Sequence, residues 1–534
     1  MLFGSVGLAC DIARAMEIEL PTDLSAAHAM IRELYAECHD LRGRYEDVKH
    51  QLDQMARRLY GRRSEQLDAA QLHLAFEALQ AEMAAAGVVP PAQVETPTAA
   101  RAPSTRPGHG RRPLPANLPR KQRIIAPEPE DLICSCCGRE KTKIGEESSE
   151  QLDYEPATLT VIETIRPKYA CSSCKDGVTV ALAPQGPIDK GLATSGLLTH
   201  VIVSKYVDHT PLSRLTTIFH RLGIDIPRQT LCGWVEKVYL LLAAVEAAQW
   251  RSILASHVLG ADETPVNVLE AGRKQCARGY FWCYVGDEDE VVFDFSMGRG
   301  SETPLRALRE YVDGVLQCDA YSGYDVVDRT KPGLVRAGCM AHARRKVFEA
   351  KDVDTDRALI LLALIRQLYD VEAQIQATVC ETKAQRVVMA LELRQEKSRP
   401  VMDRLREYVE RYRGEVLPKG PMGKAVGYLF NQWTPLSRFL EDGAIPIDNN
   451  SVERQIRPIA VGRANWTFVG SEDAGPWAAR LFGLLGTCRL QGVNPYAWLK
   501  DVLERVRRHP PERMYELTPR GWKLARAQLA VPAT

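Results

Sequence analysis

The sequence predicts a multidomain α/β protein, and three observations predict it. The chain has 534 residues, whereas single hydrophobic cores stop growing near roughly 250–300 residues. Twice an apolar, strand-like run leads directly into an aspartate, at His257–Asp262 and Gly314–Asp319, with strand and helix patterns between them. Upstream, a heptad run, a proline-rich stretch and paired Cys-x-x-Cys knuckles succeed one another and divide the chain. Hydrophobic content of 45% and charged content of 26% are ordinary for a globular protein. The net charge is only +1, so any attraction to nucleic acid must come from local basic segments. No apolar run approaches the roughly 18–20 residues that span a bilayer. Met1–Cys10 lacks a basic leader, so no secretory signal is expected. Five of the 14 cysteines sit in two tight clusters, which points to metal in a reducing compartment, the cytoplasm.

Residues 24–88 read as an N-terminal helical region. Ile31, Leu34, Cys38, Leu41, Tyr45, Val48, Leu52, Met55 and Leu59 recur in steps alternating 3 and 4, the coiled-coil period. Gly43 weakens the run by roughly 1 kcal/mol relative to alanine. Self-association into a homo-oligomer is the expectation; the plainer alternative is one amphipathic helix packed on its own protein. Residues 89–129 hold ten prolines, cannot bury a core and read as an extended linker. Seven Lys/Arg and no acid between Arg101 and Arg123 would let this linker touch a DNA backbone.

Residues 130–185 carry Cys134-Ser135-Cys136-Cys137 and, 33 residues on, Cys171-Ser172-Ser173-Cys174. Two such knuckles offer four thiolates to one tetrahedral zinc, with Cys134, Cys137, Cys171 and Cys174 as ligands and Cys136 left over or an alternative to one of the first pair. The alternating, β-branched Leu159–Tyr169 between them predicts strands and hence a zinc ribbon. Four thiolates leave no open position, so the zinc is structural; the βαβ context of a redox Cys-x-x-Cys is absent.

Residues 190–250 predict helices at Leu197–Val207 and Pro211–Leu222, a turn at Gly223, and a third helix from Pro227. This helix-turn-helix pattern puts Arg228, Gln229 and Thr230 in a first turn able to reach base edges. Such patterns also arise in ordinary all-α segments.

Residues 251–475 carry the catalytic candidate. Strands are expected at His257–Ala261, Gly279–Val285, Glu290–Ser296 and Gly314–Cys318, with a helix near Thr303–Val312 and a fifth strand at Leu334–Met340. Three antiparallel strands, a helix and a fourth strand ending in aspartate form a ribonuclease-H-like order. In that order the first and fourth strands are neighbours, so Asp262 and Asp319 converge. A charged helical stretch at about 350–440 reads as an insertion, after which Asp448–Pro458 begins another helix. Asn450 or Ser451 is its expected cap, and Pro458 is expected to end it at Arg457. Glu453 would arrive from its first turn; the plainer alternative is an exposed Glu453–Arg457 pair. Three converging carboxylates repel one another and favour hard divalent cations, magnesium or manganese. Two such ions activate a water or 3′-hydroxyl toward a phosphodiester. Arg344, Arg345, Arg454, Arg457 and Arg463 could steady phosphates, and Trp466 offers a ring to an unpaired base. Cys339 and His342 are half a zinc site by spacing and more often packing. Residues 476–534 read as C-terminal helices.

Together these stretches resemble the insertion-sequence sixty-six family of bacterial transposases over nearly the whole chain. The resemblance rests on Leu59–Glu65, the paired knuckles, Arg166–Cys171, Pro187–Gly191, Ala261–Pro265, Asp319–Tyr324, Cys339–Lys346 and Asp448–Trp466. It implies that Asp262, Asp319 and Glu453 are the metal-binding catalytic triad, and that the ribbon and helix-turn-helix recognise the terminal repeats of a mobile element. Its partners would be double-stranded DNA, further copies of itself and accessory proteins of the same element, with no membrane. A DNA-binding regulator without catalysis would not need three aligned carboxylates, and a hydrolytic nuclease of the same fold would cut without joining.

Overall fold

A computed structural model describes residues 191–270, 272 and 275–529, with short pieces at 23, 28–30, 159–163, 165, 168–170, 178–180 and 185–189. The chain divides into two units, Gly87–Ala181 and the remainder. Among its described residues the smaller unit contains one antiparallel pair, β1 (Lys168–Ala170) and β2 (Val178–Val180), with Tyr169 opposite Thr179. Among the described residues of the strand expected over Leu159–Tyr169, those in a strand are Lys168 and Tyr169 at its end. Residues 159–163 are exposed and form no ladder, since β-branched alternation gives a capacity to pair and not a partner. The zinc cysteines, the linker and the whole heptad run from Ile31 to Leu59 lie outside the described residues.

In the larger unit, α1 (Ser195–Tyr206), α2 (Leu212–Arg221), α3 (Arg228–Leu241) and α4 (Ala243–Leu254) come first. Leu212, Leu215 and Phe219 fall on one buried stripe of α2. The turn after α2 needs Gly223, whose φ of 86° is a left-handed value.

Next come β3 (Val258–Val268), β4 (Ala277–Gly286), β5 (Val291–Ser296), the short α5 (Glu302–Ala307), β6 (Gly314–Gln317), α6 (Ser322–Thr330) and β7 (Leu334–Ala337). They form one five-stranded sheet in the order β5-β4-β3-β6-β7. β3, β4 and β5 pair antiparallel, whereas β6 and β7 run parallel to β3. The helix expected to reach Val312 is shorter because the chain reverses before Gly314, which sits at φ 120°. The fifth strand ends at Ala337, and Met340 opens a helix instead.

Both faces of the sheet are covered. Phe281, Cys283, Val266 and Val268 join one core, and the alternate Trp282, Tyr284, Leu259 and Ala261 join another. The insertion is helical throughout: α7 (Met340–Ala350), α8 (Thr355–Ala377), α9 (Lys383–Leu393), α10 (Arg399–Glu415), α11 (Pro421–Asn431) and α12 (Trp433–Ser437). A π-turn at Arg394–Ser398 links α9 to α10. There the buried Arg394 pairs with Glu372 at 2.7 Å and donates to the carbonyls of Phe439 and Ile445.

α13 (Asn450–Trp466) runs straight through Pro458, contrary to the expected stop at Arg457. The carbonyl that Pro458 leaves without a donor belongs to Arg454, an exposed residue whose carbonyl water can reach. Burial of Val452, Ile456 and Ile459 holds the helix on the sheet. Neither Asn450 nor Ser451 is its cap; Asn449 takes that position without a side-chain cap bond. α14 (Ala474–Leu490), α15 (Pro495–Arg505) and α16 (Pro519–Leu529) complete the unit, and among the described residues no helix is long and apolar enough to cross a membrane.

Candidate active site

Asp262 lies on β3, and Asp319 is the second residue beyond β6. The two strands pair Val258 with Val315, Leu259 with Leu316 and Gly260 with Gln317. Both aspartates fall on that same offset, so they stand at one level of adjacent strands, which lie about 4.8 Å apart. Pleating also gives them one face. Asp262 alternates with Gly260, Val266 and Val268, and Asp319 with Gln317 and Val315. That is the face covered by α13 and the chain leading into it: Val452 packs beside Gly260, and Gln317 donates to the Pro446 carbonyl at 2.6 Å.

The start of α13 is clamped there. Asn449 donates through Nδ2 to the Ala261 carbonyl at 2.8 Å and through its backbone N–H to Cys339 Sγ at 3.2 Å. Asp448 accepts from Tyr369 Oη at 2.8 Å and from Asn450 at 2.7 Å. Glu453 follows within one turn. Its Oε1 lies 3.8 Å from His342 Nε2 and its Oε2 3.9 Å from Arg345 Nη2. The plainer alternative, a Glu453–Arg457 pair, gives way to these two contacts. Glu453 Oε1 is buried and accepts no hydrogen bond.

Burial pushes the Asp262 carboxyl up to about 8, and the charges of Glu263, Asp319 and Glu453 add to that. A backbone N–H from Glu263 at 2.8 Å is its one counterweight. Asp319 Oδ1 accepts the Tyr321 N–H at 2.9 Å. Among the described residues no three His, Cys, Asp or Glu side chains form a ready-made metal cluster. Three carboxylates here would suit a hard divalent ion: the donors would all be oxygens, Glu453 Oε1 is an orphan, and burial, followed by neighbouring charge, raises Asp262.

Sequence reasoning missed the support around this set. Glu263 points to the opposite face with 2% of its side chain exposed. It accepts Arg299 Nε at 2.8 Å and Tyr324 Oη at 3.1 Å, while Arg299 lies 4.1 Å over the Tyr321 ring. Arg336, buried on β7, donates to the Asp319 carbonyl at 3.3 Å and to Gln432 at 2.7 Å, and it pairs with Asp325. Only an acid adjoining Asp262 hinted at the first cluster; nothing in the sequence marked the second.

The expected DNA contacts divide. Arg228 and Gln229 are exposed and Thr230 half-buried in the first turn of α3. Arg345, Arg454 and Arg457 are exposed and Arg344 is half-buried. Arg463 is committed elsewhere, donating to the Pro265 carbonyl, and burial holds its guanidinium below the usual range. Trp466 ends α13, half-buried. Cys339 and His342 serve packing and the contact with Glu453, without any described zinc site.

Comparison with known families now adds to this geometry. A profile described as Transposase IS66 family matches residues 190–476. Others match residues 131–175 (zinc-finger binding domain of transposase IS66), 47–123 (Transposase C of IS166 homeodomain) and 483–520 (IS66 C-terminal element). The protein is therefore of the transposase class. Two Sinorhizobium fredii relatives extend the match. Uncharacterized protein y4jD is 36% identical over 74% of this chain and 78% of its own length. Uncharacterized protein y4hP is 32% identical over 89% and 88%. The chain belongs to the IS66 family of transposases.

Proposed function

We propose that the chain is a DNA transposase that binds the terminal inverted repeats of an insertion sequence, cleaves a strand there and transfers the freed end to target DNA. One observation carries the reading: Asp262 and Asp319 share a level and a face of adjacent parallel strands, with the first turn of α13 clamped over them. The sheet order, with α13 returning after a helical insertion, supports a ribonuclease-H-like core. The reading divides the chain into a coiled coil at 24–88, a basic linker at 89–129, a zinc ribbon at 130–185 and a helix-turn-helix at 190–250. A catalytic domain at 251–475 and C-terminal helices at 476–534 follow.

Asp262, Asp319 and Glu453 would hold magnesium or manganese, which supplies Lewis acidity to an in-line phosphodiester displacement. Asn449 keeps Glu453 over the aspartates, and Arg336 fixes the turn that carries Asp319. Arg454 and Arg457 steady phosphates along the exposed face of α13, with Arg344 and Arg345 from the neighbouring α7. The first turn of α3, with Arg228, Gln229 and Thr230, reads the repeat. Cys134, Cys137, Cys171 and Cys174 hold a structural zinc. The heptad run supports a homo-oligomer on DNA, working in the cytoplasm with accessory proteins of the same element.

The test incubates the full chain with labelled element ends and a target plasmid in magnesium. Metal-dependent nicks and joined products are expected, and both vanish in Glu453→Gln. Nicks without joining would leave a hydrolytic nuclease. Binding alone would leave a regulator.

A further inference from the structure

We infer that the C-terminal end of α13 carries a surface site for one unstacked base of bound DNA, which lies against the exposed Phe468 and half-buried Trp466 at the mouth of a small hollow, with a lysine beside them for its phosphate. The inference rests on the DNA reading above and adds a subsite to it. Lys205 and Tyr206 from α1, Phe482 from α14, and Trp466 and Phe468 from the end of α13 line a half-open cavity of about 50 Å3.

Three features mark it as built for a ligand. The first is Lys205. Its ammonium lies 5.1 Å from the Tyr206 ring and, among the described residues, has no carboxylate partner. Burial holds it below the usual lysine range. Lys205 is half-buried, and an incoming anion would supply the counter-ion it lacks.

The second is the backbone that presents the rings. Phe468 donates its N–H to the Trp466 carbonyl at 2.6 Å, closing a γ-turn on Thr467 at φ 56°, ψ −40°. A β-branched residue seldom adopts that conformation, and such strain persists where surrounding structure imposes it. The result leaves Phe468 40% exposed at the cavity mouth.

The third is rigidity. A Cβ on Gly462 would stand 2.7 Å from Trp466 Nε1, so the indole lies directly along the helix where only glycine leaves room. Tyr206 and Phe482 pack edge to face at 5.1 Å behind it. Fixed rings with an unpaired cation suit base stacking plus a phosphate contact, which is how single strands are gripped without sequence readout. The site lies on the same helix as the phosphate contacts proposed for α13, nearer its C-terminal end. Thirteen residues separate Glu453 from Trp466, about 20 Å of helix and roughly six phosphate spacings of a duplex strand.

The test uses the full chain and single-stranded (dT)10, measuring anisotropy and mapping ultraviolet cross-links. Cross-links at residues 466–468 are expected. Phe468→Ala, whose ring is exposed, and Lys205→Met should each weaken binding about 5- to 100-fold, with melting curves confirming that they fold. A decamer of abasic residues should bind the wild type as weakly as (dT)10 binds Phe468→Ala. Equal affinity of (dT)10 and the abasic decamer, or unchanged binding in both variants, overturns the site. If the site fails while magnesium-dependent cutting persists, the transposase reading stands. If cutting is absent while the site binds, that reading falls alone.

Discussion

Gly260→Ala tests whether the junction between β3 and α13 sets the catalytic geometry. The added Cβ would meet Val452 Cγ2 at 2.6 Å and Asn449 Oδ1 at 2.9 Å. Carbon atoms rest about 3.5–4.0 Å apart, so the first turn of α13 must retreat by about 1 Å. Neither neighbour yields easily. Val452 is fully buried, and Asn449 is tied to Ala261 and Cys339. Overpacking of this kind costs about 1–3 kcal/mol, which a protein of this size survives. A displacement of ~1 Å at reacting groups costs on the order of 100-fold in rate. Glu453 sits one turn beyond the contact, so the expected outcome is a folded protein whose single-turnover cutting of element-end DNA falls about 100-fold. Gly427→Ala is the control: its Cβ meets nothing within 4 Å, on a helix where alanine is favourable. The reasoning is refuted if Gly260→Ala cuts at the wild-type rate, or if its rate falls only in step with its folded fraction.

Three further outcomes follow from other parts of the molecule. Arg394→Met should lower stability by about 3 kcal/mol by leaving the mostly buried Glu372 unpaired, and adding Glu372→Leu should recover most of the loss in urea melts. Glu290 is buried with Oε1 unpartnered, and burial raises its carboxyl above 4.5. The folded state keeps a proton that the unfolded chain releases, so Glu290 lowers stability as pH rises from about 4.5 toward the raised folded value. Glu290→Gln should flatten that decline in melts taken from pH 4 to 8. Metal analysis should find one zinc per chain, lost in Cys171→Ser with helical circular dichroism largely kept; a full zinc complement in that variant would remove Cys171 from the ligand set.

What could be read from the sequence was local. The strands that present Asp262 and Asp319 stand out because an apolar run leads into a carboxylate, although β3 runs on past Asp262 to Val268 and Asp319 lies two residues beyond β6. The helices of 195–254 stand out because Leu212, Leu215 and Phe219 keep helical spacing. The errors were also local rules overruled by packing. Pro458 does not stop α13, because burial of Val452, Ile456 and Ile459 outweighs one missing hydrogen bond. Nothing in the sequence shows that Arg463, read as a phosphate contact by residue type, donates to a carbonyl almost two hundred positions earlier. Glu263, Arg299 and Arg336 escaped notice because a buried ion pair has no periodicity, only a partner that the fold supplies.

The insertion illustrates why distance along the chain misleads. It separates Asp319 from Glu453 by 134 positions, which reads as a spacer, but its helices brace both ends of the site. Gln432, between α11 and α12, accepts from Arg336, which also holds the Asp319 carbonyl. Tyr369 of α8 donates to Asp448, one residue before the cap of α13. Arg394 gathers the carbonyls of Phe439 and Ile445, so the loop feeding α13 is anchored to the insertion's own core. A carboxylate that must meet two others within a few ångströms needs its backbone held from more than one side. β3 holds α13 from beneath through Asn449, and the insertion holds the approach to it from the flank. Shortening the insertion would therefore disturb Glu453 before it disturbed the sheet.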